Sequence, residues 1–176
     1  MTQSGGPDAP LFCIIGKGGN NMSDYIMDLR KIVGHRPLMQ AGASVLVIDE
    51  EGRLLLEKRK DTHDWAYPGG AIELYEETED AARRELLEET GIIAGKLTLF
   101  GVYSGKDMHF TYPNGDVTSN IDIVYECHDY SGKLTIQPDE VEDLRFFAPD
   151  EIPEDIFLPV RRPIMDWVRS RKQPKI

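Results

Sequence analysis

The sequence is poor in cysteine and in long apolar runs, and each shortage excludes a class of protein. Cys13 and Cys127 are the only two cysteines among 176 residues. They are too few and too far apart for a disulfide framework or a cysteine metal site, so we predict free thiols in a reducing compartment. No apolar run reaches the roughly 20 residues of a membrane-spanning helix. No lysine or arginine precedes the short apolar stretch 11–15, so we expect no signal peptide and a cytoplasmic location.

Basic residues are also scarce relative to acidic ones. The chain has 20 Lys and Arg against 31 Asp and Glu, a formal net charge of −11. This balance argues against a nucleic-acid polymer or an anionic membrane as the main partner, because both attract basic surfaces. A small phosphorylated substrate stays compatible with it, because a bound metal cation reverses the local charge.

The length and texture of the chain predict one α+β domain after a short extension. Residues 1–21 are rich in Gly, Pro, Ser and Asn and are predicted to be a disordered N-terminal extension, with a single domain over 22–176. Hydrophobic patterning predicts helices over 24–33, 77–89 and 156–168, and strands over 38–48, 53–59, 96–103, 121–127, 133–136 and 144–147. The first two strands are interpreted as a hairpin and 61–70 as a loop. Pro163 is expected to break the last helix or to lie in its first turn. Strands and helices do not alternate strictly, which favours a mixed sheet flanked by helices.

The second predicted helix carries an unusual concentration of acids. Glu85, Glu88 and Glu89 are three and four residues apart, so they share one helix face and repel one another. They also lie near the helix C-terminus, where the dipole favours cations. A bound divalent cation would relieve both conflicts, and oxygen ligands without Cys or His favour Mg²⁺ or Mn²⁺ over zinc. The alternative is a solvated acidic face, which charge alone favours.

The residues around this face favour the metal site. Ala82 and Leu86 form a core-facing stripe at i, i+4, and Arg84 lies four residues before Glu88 and can hold that carboxylate. Upstream, the pair Gly69-Gly70 allows the backbone to approach a ligand closely.

These residues together resemble a known motif. Gly70, Glu76 and the run Arg84-Glu85-Leu86-Leu87-Glu88-Glu89-Thr90-Gly91-Ile92 match the Nudix box in register over 23 residues. The chain therefore resembles the MutT-like Nudix hydrolases over roughly residues 38–150. The resemblance implies the Nudix fold, a mixed β-sheet sandwiched between α-helices. Tyr75 departs from the pattern, because relatives often have Gly before the first box glutamate.

The resemblance also implies roles for individual residues. The implied metal ligands are Glu85, Glu89, Glu88 (directly or through water) and the Gly69 carbonyl. The implied catalytic residues within the box are Glu88 and Glu89, and Glu140 is added as a candidate from outside the box. Structural roles in the motif fall to Gly70, Glu76, Arg84 and Gly91, with Arg84 tied to Glu76 or Glu88. The implied cofactor is Mg²⁺, with Mn²⁺ as an alternative.

Outside the box the assignments are less specific. The general base comes from the box or from a loop acid, for which Glu140 is the candidate; a plain surface acid is an equal alternative. Arg59, at a strand end, is a candidate phosphate-binding residue or a surface arginine. Tyr112 is a candidate for stacking on the substrate, although packing is the more common role of such aromatic residues. None of the four histidines is assigned a role.

The function expected from this resemblance is hydrolysis of a diphosphate bond. The substrate would be a nucleoside diphosphate linked to another moiety, either an ADP-ribose-like nucleotide sugar or a (d)NTP. The alternatives are a catalytically silent Nudix-fold sensor that binds a nucleotide, and an interaction protein with an acidic helix. The complete set of box acids favours the enzyme. The expected partner is a small nucleotide-like molecule, and a homodimer is compatible with the sequence.

Overall fold

The computed structural model describes residues 22–112 and 114–172. The predicted extension 1–21 lies outside the described residues. The helices are Met22–Val33 (α1), Thr78–Thr90 (α2) and Leu158–Lys172 (α3). The strands are Leu38–Val47 (β1), Leu54–Arg59 (β2), Trp65–Ala66 (β3), Gly69–Ala71 (β4), Ile92–Ala94 (β5), Leu97–Tyr103 (β6), His109–Thr111 (β7), Val117–Cys127 (β8), Tyr130–Gly132 (β9) and Val141–Phe147 (β10).

The largest sheet is mixed, as the sequence predicts. Its order is β4-β1-β8-β6, and β7 also pairs with β8. The two long strands β1 and β8 run parallel over ten residue pairs, from Leu38 opposite Thr118 to Val47 opposite Cys127. The other pairs in this sheet are antiparallel. Since parallel strands need cover on both faces, the β1–β8 pair is the natural centre of the fold.

Helices cover both faces of that centre. On one face, Val45 and Val47 of β1 share a hydrophobic cluster with Leu86 of α2. On the other face, Leu46 of β1 shares a second cluster with Trp167 of α3. Alternate residues of one strand therefore serve two cores, which explains why the end of β1, residues 45–47, is continuously apolar rather than alternating. The predicted sandwich of helices around a mixed sheet is confirmed.

The predicted hairpin between the first two strands is wrong beyond its turn. The turn at 49–52 forms, and Ile48 bridges to Leu54. The strands then separate into different sheets, because β2 pairs with β10 and β3 in a three-stranded antiparallel sheet. Short-range turn chemistry identified the reversal, but the pairing partners come from distant parts of the chain.

Two further local predictions are corrected. The segment 61–70, predicted as a loop, contains β3 and the start of β4, and β4 pairs with β1. No strand forms over 133–136 in the described chain; β9 lies just before it and pairs with β5. These strands have two or three residues, too few to show a period of two in the sequence.

The last helix also differs from its prediction. Pro163 lies inside α3 rather than at a break or in the first turn. A proline there removes one backbone hydrogen bond. Pro163 is buried, as are Ile164 and Trp167, so its ring belongs to the core-facing part of the helix. Among the helices of residues 22–112 and 114–172, none is long and apolar enough to cross a membrane.

Candidate active site

Helix α2 turns two of its glutamates inward. Ala82 and Leu86 are completely buried in the core, as their spacing predicts. Glu85 and Glu89 are also buried, at 1% and 5% exposure. Glu88 lies at the exposed edge of this face, with 40% of its side chain accessible. After the helix, Gly91 adopts a left-handed φ of 73° and donates its N–H to the Leu87 carbonyl, a common helix ending. The acidic helix is therefore partly a buried site and not only a solvated surface.

The two glycines of β4 lie directly against these carboxylates. A Cβ atom on Gly70 would come within 2.6 Å of the Glu85 Cδ atom. The Gly69 N–H donates a 2.8 Å hydrogen bond to Glu89 Oε2. Only a residue without a side chain fits between β1 and the Glu85 carboxylate. The pairing of β4 with β1 thus holds a bare backbone segment against the acidic face of α2.

Arg84 connects the loop before α2 to the buried face. Its guanidinium donates to both carboxylate oxygens of Glu76, at 2.8 and 2.9 Å. The same group donates to Glu85 Oε1 at 2.6 Å and lies 3.5 Å from Glu88 Oε2. Such bidentate pairing fixes orientation as well as charge. Glu76, Arg84 and Glu85 therefore form one connected network.

Glu57 is a member of the site that sequence analysis missed. It lies on β2, is 3% exposed, and lies close enough to Glu89 for each carboxyl to influence the pKa of the other. The signal was present in the sequence, because Glu57 directly follows three leucines that belong to the core. A charge in such a run is rarely buried without a partner or a function. The carboxylates brought together are those of Glu57, Glu85 and Glu89.

Burial and mutual repulsion make these carboxyls hard to ionise. Burial raises the pKa of Glu57 to about 7 and that of Glu85 to about 8. Burial also raises the pKa of Glu89 well above its usual range, and the charges of Glu57 and Glu85 add to the effect. At Glu76 burial opposes ionisation, yet hydrogen bonds from Arg84 and the Glu73 backbone lower its pKa overall. The metal-free site is therefore an electrostatically strained pocket of acids.

The loop that carries Glu140 is tied to the end of the strand that carries Glu57. The Lys60 N–H donates to the Glu140 carbonyl at 2.9 Å, which ties this loop to the end of β2. Burial raises the pKa of Glu140, and the charge of Arg59 opposes that rise. Glu140 in turn raises the pKa of Glu57, Glu85 and Glu89. Its carboxyl is therefore electrostatically part of the site and not an isolated surface acid.

A cleft opens beside the glycines. It has an empty volume of about 500 Å³, including its open mouth. Its walls include Gly69 and Gly70 on one side and the apolar Met108, Phe157 and Val160 on the other. Such a mostly apolar cleft with a few polar groups is the usual form of a small-molecule site.

Arg59 lines the cleft, and Tyr112 lies close to it. The Arg59 guanidinium pairs with both oxygens of Asp61, at 2.9 and 2.7 Å, and stacks 4.7 Å above the Phe157 ring. Tyr112 is buried, packs edge-on against Phe110, and influences the pKa of Arg59. Arg59 is thus a positioned cation at the cleft, whereas Tyr112 is chiefly a packing residue.

The polar floor of the cleft comes from β1 and β8. Asp122 is buried and accepts hydrogen bonds from the Ser44 hydroxyl at 2.8 Å and the Tyr67 hydroxyl at 2.7 Å. Next to it, Asn120 Oδ1 is buried without a hydrogen-bond partner. An unpaired buried acceptor is costly unless a ligand or water supplies a donor.

The acidic cluster offers oxygen ligands to a hard divalent cation. Within residues 22–112 and 114–172, no group of three or more His, Cys, Asp or Glu side chains is arranged so that it could hold a metal ion by itself. The donor chemistry nevertheless fits, because Glu57 Oε2 and Glu85 Oε2 are buried and have no hydrogen-bond partner. Mg²⁺ is commonly held by one or two carboxylates, with waters and substrate phosphates completing its shell. A full protein cage is therefore not required.

The sequence profile of the NUDIX domain matches residues 38–168. The chain belongs to the Nudix family, and its fold and box make it a MutT-like Nudix pyrophosphohydrolase.

Individual relatives agree with this assignment. The ADP-ribose pyrophosphatase of Methanocaldococcus jannaschii is 33% identical over 156 residues, covering 83% of this chain and 88% of the relative. The nucleoside triphosphatase NudI of Escherichia fergusonii is 30% identical over 115 residues, covering 60% of this chain and 80% of the relative. The crystal structure of a MutT NUDIX hydrolase from Burkholderia pseudomallei has a TM-score of 0.62 at 31% identity, covering 72% of this chain and 96% of that one.

Proposed function

We propose that this protein is a divalent-metal-dependent enzyme that cleaves the diphosphate of a nucleotide linked to a second moiety, with ADP-ribose-like nucleotide sugars as the leading substrate class and (d)NTPs as the second. The observation that carries the proposal is the burial of Glu85 and Glu89 against Gly69 and Gly70, beside an open cleft. Buried carboxylates at such a cleft are costly for stability alone.

The acids of α2 would hold the cation. Glu85 and Glu89 are the proposed main ligands, with Glu88 contributing at the exposed edge and the Gly69 carbonyl as a backbone ligand. When bound, the cation neutralises phosphate charge and lowers the pKa of a coordinated water. Arg84 would have a structural role, because its hydrogen bonds to Glu76 and Glu85 hold the Glu85 carboxylate in place.

The cleft would bind the organic part of the substrate. Met108 and Phe157 offer apolar contact, and Asn120 Oδ1 offers an unpaired acceptor for an N–H or O–H group of the substrate. Arg59 lines this cleft, and its charge also acts on Glu140. The side chain is thus suited to contact the diphosphate of a substrate bound in the cleft, and Tyr112 would take part mainly through packing.

The reaction then follows from these positions. A water oxygen attacks one phosphorus, and the bond from that phosphorus to the bridging oxygen breaks. Glu140 is the proposed base that takes the water proton, with Glu88 and Glu89 as the alternatives within the box. The leaving phosphate keeps the bonding electron pair. A nucleotide sugar would yield a nucleoside monophosphate and a sugar phosphate, and a nucleoside triphosphate would yield a nucleoside monophosphate and inorganic diphosphate.

The names of relatives support the choice of substrate classes. The Methanocaldococcus relative is named an ADP-ribose pyrophosphatase and aligns over 88% of its length. The Escherichia relative is named a nucleoside triphosphatase. The first alignment is longer and more identical, so ADP-ribose-like substrates stand first.

The experiment is a product-resolved hydrolysis screen with Mg²⁺ or Mn²⁺. It compares ADP-ribose, nucleotide sugars, NADH, dinucleoside polyphosphates and (d)NTPs with wild-type protein, Glu89→Gln and the matched control Glu79→Gln. Glu79 lies on the same helix but is exposed and pairs with Arg83. We expect metal-dependent cleavage that Glu89→Gln abolishes and Glu79→Gln retains. Metal-independent nucleotide binding without any cleavage would instead establish a nucleotide sensor.

A further inference from the structure

We propose that Glu57 is a further metal-binding residue, which brings a carboxylate from β2 to the divalent-cation site formed by α2. The inference rests on the proposed metal-dependent function, and it adds a ligand from outside the Nudix box. It is carried by the position of Glu57, by its burial and by an oxygen atom that the protein leaves unpaired.

The position of Glu57 is set by the second sheet. Its strand is held on one side by β10, where Glu57 is opposite Leu144, and on the other by β3, where it is opposite Ala66. Pairing on both sides fixes the strand, and so it fixes the face of the sheet on which the Glu57 side chain lies. Residues two apart share a strand face, so Glu57 and Arg59 point to the same side.

The side chain lies close to the Glu89 carboxyl, because each of the two groups influences the pKa of the other. The charges of Arg59 and Glu140 also act on Glu57. Arg59 is committed to Asp61 by two hydrogen bonds. Nothing described in the chain pairs with Glu57 Oε2, which is buried. The acidic cluster therefore has a second, independent sign of a ligand site, namely a buried carboxylate oxygen without a hydrogen-bond partner on a residue that is 3% exposed.

A packing role alone does not explain this arrangement. A neutral side chain of similar volume would fill the same space next to the three preceding leucines without the cost of a buried charge. A divalent cation supplies what the protein lacks, because it pairs with the unpaired oxygen and screens Glu57 from Glu89. Hard carboxylate oxygens restrict the ligand to Mg²⁺, Mn²⁺ or a similar ion.

The test is Mn²⁺ binding by the full chain, measured by electron paramagnetic resonance and calorimetry without substrate. Glu57→Gln keeps the shape and removes the charge, while Glu126→Gln is the matched control. Glu126 is a partly buried strand carboxylate that pairs with His128 and Arg171 away from the cluster. We expect Glu57→Gln to weaken Mn²⁺ binding by about 10-fold or more and Glu126→Gln to leave it unchanged. Glu57→Asp, which keeps the charge, should restore part of the affinity.

The melting temperature of Glu57→Gln gives a second readout, because the variant should be favoured without metal and disfavoured when Mn²⁺ is bound. Without metal, Glu57→Gln should raise the melting temperature, because it removes repulsion from Glu89. With Mn²⁺, the same variant should gain less stability than wild type, because stabilisation by a ligand follows its affinity. Unchanged Mn²⁺ affinity in Glu57→Gln would overturn the inference.

If the variants fail to fold, a measurement on wild-type protein still tests whether Glu57 binds the metal. Anomalous diffraction from Mn²⁺-soaked crystals should show a Glu57 oxygen in the ion's coordination shell, and a shell without Glu57 would refute the proposal. If wild type binds no Mn²⁺ and cleaves nothing, the proposed function itself fails. If wild type binds and cleaves while Glu57→Gln binds equally well, only the present inference fails.

Discussion

Gly70 lies so close to the Glu85 carboxylate that a Cβ on residue 70 would be 2.6 Å from the Glu85 Cδ atom. Real Cβ atoms do not approach other heavy atoms so closely, so a side chain at residue 70 must displace the carboxylate or the strand. The glycine that opens the box is therefore required by the buried Glu85 carboxylate, which lies fifteen positions further along the chain.

Gly70→Ala should disable the site more than it destabilises the fold. Displacement of Glu85 is expected to lower Mn²⁺ affinity about 10–100-fold, the range seen when supporting contacts of metal ligands are lost. Calorimetric titration with Mn²⁺ measures this. Gly52→Ala is the control, because residue 52 has open space but a φ of 77°. That control should cost about 1 kcal/mol of stability through backbone strain, with unchanged Mn²⁺ binding. Equal Mn²⁺ affinity in Gly70→Ala and wild type would contradict the argument.

Glu140→Gln should lower kcat by about 100-fold or more while leaving KM and Mn²⁺ affinity near their wild-type values. The reason is that a general base contributes roughly 10²–10⁴-fold to the rate, whereas Glu140 is proposed to hold a proton and not the cation. Steady-state kinetics on the substrate identified by the screen provides the measurement. The neighbouring exposed Asp139→Asn serves as control. An unchanged kcat in Glu140→Gln would show that Glu140 is not the general base. Glu88 and Glu89 of the Nudix box would then be the remaining candidates.

Metal-free protein should lose stability as pH rises from about 5 to about 8. Burial raises the pKa of Glu57 to about 7 and of Glu85 to about 8, and it also raises the pKa of Glu89. In this window the folded state holds protons that the unfolded chain has released, so the free energy of unfolding falls with pH. The slope is about 1.4 kcal/mol per pH unit for each extra proton. Above the pKa values of the folded state, the free energy of unfolding no longer changes with pH through these groups.

Urea unfolding at several pH values in the presence of a chelator measures this slope. Glu89→Gln should flatten it, since one of the coupled carboxyls is gone. Saturating Mg²⁺ should also flatten it, because the bound cation favours the ionised carboxylates. Groups with lowered pKa, such as Glu76, act at lower pH and lie outside the window. A stability that rises between pH 5 and pH 8 in metal-free protein would show that the buried acids are already ionised.

Tyr75→Gly should stabilise the protein by about 0.5–1 kcal/mol, the net of left-handed strain removed and chain entropy added. Tyr75 adopts a φ of 70° and its side chain is fully exposed. The strained conformation is imposed by the turn in which Glu73 and Glu76 exchange hydrogen bonds. Thermal unfolding should show a rise of a few degrees. Tyr75→Ala keeps the strained backbone conformation and should give no such rise. Equal rises in the two variants would show that removal of the tyrosine ring, and not relief of backbone strain, stabilises the protein.

The helical part of the site was predictable because its geometry is local. A period of 3.6 residues places Ala82, Leu86, Glu85 and Glu89 on one side of α2 whatever surrounds the helix. The same period brings Glu88 to that face, and only the packing of α2 on β1 and β4 decides that Glu88 lies at its exposed edge. The motif identified the family, and the profile match and the relatives confirmed it.

Strand pairing was the part that local patterns could not supply. The turn at 49–52 correctly indicated a reversal, yet β2 leaves β1 and joins β10, about 80 residues further along the chain. That choice carries Glu57 into the acidic cluster and sets Arg59 at the cleft. A pairing register depends on partners far away in sequence, and a three-residue strand such as β4 has no detectable period.

By itself, then, the sequence determined the family, the acidic helix and the spacing of the carboxylates, because these depend on residue types at short separations. The tertiary structure alone decided which acids are buried together and that a side chain at residue 70 would clash with Glu85. It also decided that Glu57 lies close to Glu89 and that the charge of Glu140 acts on both. Those features arise from long-range packing, where burial and repulsion between distant residues are settled only when the sheets and helices assemble.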